Sequence, residues 1–101
     1  MLVIVVNPSR ELNSLVIKGV IINYIIASAN HGSGAFVTIK FKNVYDFISK
    51  LTYNPPGILS VRNMYVNVIR SLEECIVDWK AGKVVFNRDC LRNRFMYFDL
   101  S

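Results

Sequence analysis

Within residues 34–51, GAFVTIKFKNVYDFISKL, the spacing of apolar side chains changes from two to 3.6, and few folds accommodate that change. Val37, Ile39 and Phe41 alternate with Phe36, Thr38 and Lys40, which is the pattern of a strand with one buried face. Val44, Phe47, Ile48 and Leu51 then follow at i, i+3, i+4, i+7, the stripe of an amphipathic helix, with Asn43 placed to cap it and Asp46 in its first turn. A strand that feeds directly into a helix predicts a mixed α and β class, with Val37, Ile39 and Phe41 facing that helix.

The other elements are read outward from this stretch. Residues 2–6 form a short apolar run, expected to be an interior strand. Asn7 and Pro8 signal a helix start, Leu12, Leu15 and Val16 share a face, and Lys18 with Gly19 signals a stop. Residues 20–29, VIINYIIASA, are dense in β-branched and aromatic side chains and predict a strand, joined through the turn Asn30–Gly34 to residues 35–41 as a hairpin. Two prolines in residues 53–57 interrupt the chain after the helix at 43–52. Residues 58–69 are read as a strand, although Val61, Met64, Val68 and Leu72 also fit a long helix. Ser71 and Glu74 make a capping box before the stripe Leu72, Cys75, Ile76, Trp79, which predicts a helix ending at Gly82 with Trp79 buried against the sheet. Residues 83–87 and 94–100 complete the pattern as two strands.

This order predicts a single antiparallel-rich α+β domain over residues 1–101. It is built from two strand-helix-strand-strand halves, residues 1–41 and 58–100, joined by the helix at 43–52. The alternative is a ferredoxin-like sandwich with a C-terminal helix-hairpin extension. A hydrophobic content of 52% supports a folded core. Two cysteines are too few for a disulfide framework, so a reducing, cytoplasmic location is expected. Met1 leads straight into an apolar run with no basic segment, so no export signal is expected. Lys18 and Gly19 argue against a membrane span in residues 12–29.

Catalysis finds little support. His31 is the only histidine, and HisGlySerGly reads as a turn, not as a nucleophile elbow. Cys75 falls on an apolar stripe and Cys90 in a turn among Arg88, Arg92 and Arg94, with no accompanying base. No enzyme activity, cofactor or metal is expected, and two binding readings follow. The first is a protein–protein interaction module with a protein or peptide partner, including a second copy of the chain, contacted through Tyr65, Arg88, Arg92, Arg94 and Tyr97. The second uses the net charge of +5 and an open sheet face for single-stranded nucleic acid, with Phe36 as a stacking platform and Lys40, Lys42, Arg62 and Arg94 on phosphates.

Two resemblances accompany these readings. Ala35, Phe36, Val37, Thr38 and Ile39, followed by a helix, resemble the aromatic-rich third strand of RNA-recognition modules, and by element order the likeness spans residues 2–65. It implies base stacking on Phe36; Gly32 and Gly34 stand where that family carries its basic lead residue and second aromatic. Heavy use of Ile, Asn, Tyr and Phe with little Ala resembles, in composition, small proteins of A+T-rich viruses and mobile elements, including viruses of archaea.

Overall fold

In a computed structural model the backbone is described for residues 14–99 and the side chains for residues 15–95. The order is α1 (Ser14–Asn30), β1 (Phe36–Lys40), α2 (Phe41–Ser49), α3 (Ile58–Ser71), a 3-10 turn (Glu73–Cys75), β2 (Ile76–Lys80), β3 (Lys83–Asn87) and α4 (Arg88–Asp99). The strands form one antiparallel sheet in the order β1-β3-β2. The α+β class and the antiparallel sheet are therefore as expected. The strand expected at residues 2–6 lies outside the described residues.

Residues 34–51 fold as a strand feeding a helix, but Phe47 of the expected stripe is 42% exposed, beside Tyr24, and Leu51 lies beyond the helix end. β1 buries Val37 and Ile39 and exposes Phe36, Thr38 and Lys40. α2 starts two residues before Asn43, at Phe41, which is buried with Val44 and Ile48. Asn43 is thus an exposed helical residue and not a cap.

Elsewhere helix replaces strand. Residues 20–29 belong to α1, whose buried residues Ile17, Ile21, Ile25 and Ala29 recur every four positions, so packing overrides the β preference of isoleucine. Gly19 is passed through, and the helix ends ahead of Gly32, where a φ of 84° reverses the chain. Residues 58–69 are likewise helical, burying Val61, Tyr65, Val68 and Ile69 at helical spacing. The last expected strand is α4, which buries Leu91 and Phe95. Its N-cap is Asn87, whose Oδ1 accepts the Cys90 amide at 2.9 Å.

One expected helix is a strand. Ser71 ends α3, its hydroxyl donating back to the Val68 carbonyl at 2.6 Å, and the stripe through Trp79 becomes the 3-10 turn and β2. Trp79 is consequently 41% exposed on a sheet edge, not buried. With these changes the described elements do not form two strand-helix-strand-strand halves, and helix exceeds strand.

α1 runs through the centre, touching α2, α3, α4 and β1, while α4 lies against β3. The helices cover the sheet face that carries Val37, Ile39, Val84 and Phe86. A disulfide joins Cys75 to Cys90, with Cα atoms 5.4 Å apart and a separation of 15 positions in sequence. This overturns the expectation of free thiols: packing of the 3-10 turn on α4 brings together two residues that spacing alone leaves unrelated.

Candidate functional site

Among the described residues, two groups of cations meet opposite fates. Arg88, 8% exposed, sits behind the C-terminal end of α1. Its Nε donates to the Gly34 carbonyl at 2.6 Å, and Nη1 donates to Ser28 at 3.1 Å, Ala29 at 2.8 Å and also His31. Nη2 reaches Phe36 at 3.3 Å. These include carbonyls that the last turn of a helix leaves unpaired, and a cation there also meets the negative end of the helix dipole. Gly32 suits the position beside it through its φ of 84°, which strains any residue with a Cβ; the space itself is open enough, with Nη2 at an ordinary contact distance of 3.4 Å. Arg92 joins in, with Nε on Ala29 at 3.2 Å and Nη2 on Gly32 at 3.3 Å. Arg94 pairs with Glu74 at 3.1 Å and reaches the Ser71 carbonyl.

The three arginines proposed for a partner are thus engaged inside the chain. Tyr65 is buried, its hydroxyl 3.5 Å from the Ile39 carbonyl, and burial pushes that hydroxyl up to about 12 against the opposing charge of Arg62. Tyr97 belongs to α4, and its side chain lies outside those described.

The second group is open. In the sheet register Lys40 pairs with Lys83, and Lys83 with Lys80, so three ammonium groups stand in one row across all three strands. Directly paired residues share a face, and among the described residues this is the face that no helix covers. Thr38, Val85 and Asp78 form the next row on it, and Phe36, 55% exposed, stands beyond them opposite Asn87. Like charges placed directly opposite one another destabilise a sheet, so the lysine row carries a folding cost that burial and pairing do not offset. Among the described residues its one acid is Asp78, 3.7 Å from the Lys80 ammonium, and both side chains are too exposed for the pair to hold firmly. Lys42 adds a further exposed cation in the first turn of α2.

Around the edge of this row lies a pocket of about 360 Å³ between α3 and the β2–β3 hairpin. Phe41, Tyr65, Val66 and Trp79 give it apolar walls, and Arg62 and Lys80 are its charged lining residues. The Phe41 ring meets Tyr65 edge-on at 5.2 Å and carries the Arg62 guanidinium 5.3 Å from its centroid, which holds that cation at the rim. The two-residue turn Ala81–Gly82 closes the hairpin; Gly82 takes a φ of 81°, and its carbonyl accepts the Phe41 amide at 3.0 Å.

Of the residues proposed for nucleic acid, Phe36 and Lys40 share the open face, with Lys42 one position beyond the Phe41 that follows Lys40. Arg62 stands at the neighbouring pocket, and Arg94 lies apart on α4. Lys80, Lys83 and Trp79 were not among those expected, because LysAlaGlyLys reads equally as the end of a helix. The alternation in IVDWK and KVVFN around a two-residue, Gly-containing gap is the signal that identifies them.

Among the described residues no cluster of His, Cys, Asp or Glu is arranged to hold a metal, and no helix is long and apolar enough to cross a membrane. Comparison with known proteins assigns no family: no family model, no curated protein and no solved structure matches the chain.

Proposed function

We propose that the protein binds single-stranded nucleic acid along the uncovered face of its sheet, without catalysis. The observation that carries this reading is the row Lys40–Lys83–Lys80, unopposed but for Asp78, on the same face as an exposed Phe36. A line of cations for phosphates beside an aromatic surface for bases is the combination that single strands require.

Fluorescence anisotropy with a labelled oligonucleotide tests the reading. Three engaged lysines predict that log affinity falls with log salt at a slope of about −2. Phe36→Ala is expected to weaken binding by about 1–3 kcal/mol. Affinity indifferent to salt, or unchanged in Phe36→Ala, overturns the proposal.

A protein or peptide partner is the second reading, and β2 favours it. This strand is an edge of the sheet, with Val77 and Trp79 55% and 41% exposed, so an extended peptide or a second copy could pair along it. The irregularity between Ile76 and Asp78 and the charge of Lys80 are features that discourage such pairing, which ranks it below the first reading. Sedimentation of a monomer at every concentration removes the self-pairing form.

A further inference from the structure

The lysine row does not account for the pocket beside it. Lys80 belongs to both: it ends the row on β2 and lines the pocket that opens around the same edge. A strand lying along Lys40, Lys83 and Lys80 therefore arrives at an aromatic-walled pocket whose remaining cation is Arg62. Among the described residues no acid lines it, and the charge of Arg62 is met there by the Phe41 ring and not by a carboxylate. A phosphate can therefore approach without displacing an ion pair from Arg62. The volume, about 360 Å³, falls at the small end of the range that single ligands occupy.

We infer that this pocket holds one nucleotide unit, with its base against the Trp79 ring and its phosphate between Arg62 and Lys80. The inference rests on the open-face reading for its class of ligand, and it adds a site that discriminates a nucleotide from a bare phosphate or a bare base. Stacking supplies the apolar part and is tolerant of base identity; the two cations supply the requirement for charge. Lys80 then serves two neighbouring phosphates, one on the face and one at the rim.

Trp79 is the only tryptophan in the chain, so its emission reports on the pocket alone. The full chain is titrated with adenosine 5′-monophosphate, adenosine and inorganic phosphate. Saturable quenching by the monophosphate is expected, at least tenfold weaker with adenosine and absent with phosphate. Arg62→Gln is expected to weaken the monophosphate at least tenfold, whereas Lys18→Gln, which removes the same charge from an exposed position on α1, changes it less than twofold. Circular dichroism of both variants matching the parent keeps a folding defect from imitating the result. Absence of quenching by the monophosphate, equal quenching by adenosine, or indifference to Arg62→Gln overturns the inference. If oligonucleotide binding retains its dependence on Phe36 while the monophosphate fails to quench, the pocket falls and the open face stands. Quenching that depends on Arg62 without any oligonucleotide binding supports the pocket and overturns the track across the sheet.

Discussion

Arg88 and Arg92 at one end of the molecule and Lys40, Lys80, Lys83 and Arg62 at the other are basic clusters of comparable appeal in the sequence, yet the fold uses them in opposite ways. The arginine cluster is closed. Its donors are aimed at carbonyls of α1 and of the loop up to Phe36, and a guanidinium so engaged has little left to offer a ligand. The lysine cluster is open, with like charges side by side and a single exposed acid nearby. A cluster bonded to the backbone contributes stability; one left in mutual repulsion is maintained against stability, which is where function is sought.

Variants that separate stability from binding sharpen this contrast, and the largest effect is expected at the closed end. Arg88→Met leaves carbonyls of Ser28, Ala29, Gly34 and His31 without their charged donor, and a loss of at least about 3 kcal/mol is expected on urea unfolding. Arg88→Lys recovers little of it, because one ammonium cannot reproduce the fork. Should Arg88→Met remain as stable as the parent while oligonucleotide binding collapses, the assignment of the two ends is reversed. Opening the Cys75–Cys90 bond, which closes a loop of 15 residues next to Arg88, is expected to cost about 3 kcal/mol, measured as the shift in urea midpoint on replacing both cysteines by serine. Binding by the folded fraction is expected to persist, since neither cysteine reaches the open face or the pocket.

At the open end Tyr65 supplies a pH test. Its hydroxyl ionises at about 12 in the folded chain against about 10 when unfolded, so the folded state holds that proton more tightly. The resulting stabilisation is complete below pH 10 and is lost as pH rises through about 12, at a rate approaching 1.4 kcal/mol per unit. Tyr65→Phe is expected to remove this share of the alkaline loss. An identical alkaline profile in the variant sinks the assignment, and with it the picture of Tyr65 as a closed floor beneath an open rim.

How much of this was legible depended on whether the signal was local. β1 and α2 are set by periodicity within residues 34–51: Val37, Ile39, Val44 and Ile48 are buried as that pattern implies, whereas Phe47 is exposed and Leu51 falls beyond the helix end. α1 was obscured because Ile and Val carry a strand preference that only tertiary packing overrides, although the four-residue recurrence of Ile17, Ile21, Ile25 and Ala29 was present to be read. At α4 the cap Asn87 looked like the end of a strand, which it also is. The closure of Arg88 on α1 links positions 59 apart, Arg88 and Ala29, and the lysine row needs the pairing of β1 with β3; neither can be seen by any window along the chain. Phe36 and Lys40 were found because alternation places both on one face, whereas Lys80 and Lys83 required the hairpin to be recognised first.

The smallest expected effect discriminates most sharply, because stability and affinity should move in opposite directions. Lys83 stands between Lys40 and Lys80 and is the one member of the row that repels both neighbours. Lys83→Thr removes both repulsions and places a strand-favouring residue on the sheet, so stability is expected to rise by about 0.2–1 kcal/mol. The gain should shrink in high salt, where the repulsion it relieves is already screened. Over the same salt range the oligonucleotide is expected to bind more weakly, with the slope of log affinity against log salt reduced by about 0.7, the share of one phosphate contact on a single strand. A residue kept only for solubility would give the first change without the second. Were Lys83→Thr to leave both the affinity and its salt slope intact, the lysine row would be an ordinary solvated edge, and the contrast between a closed and an open cluster would lose its functional meaning.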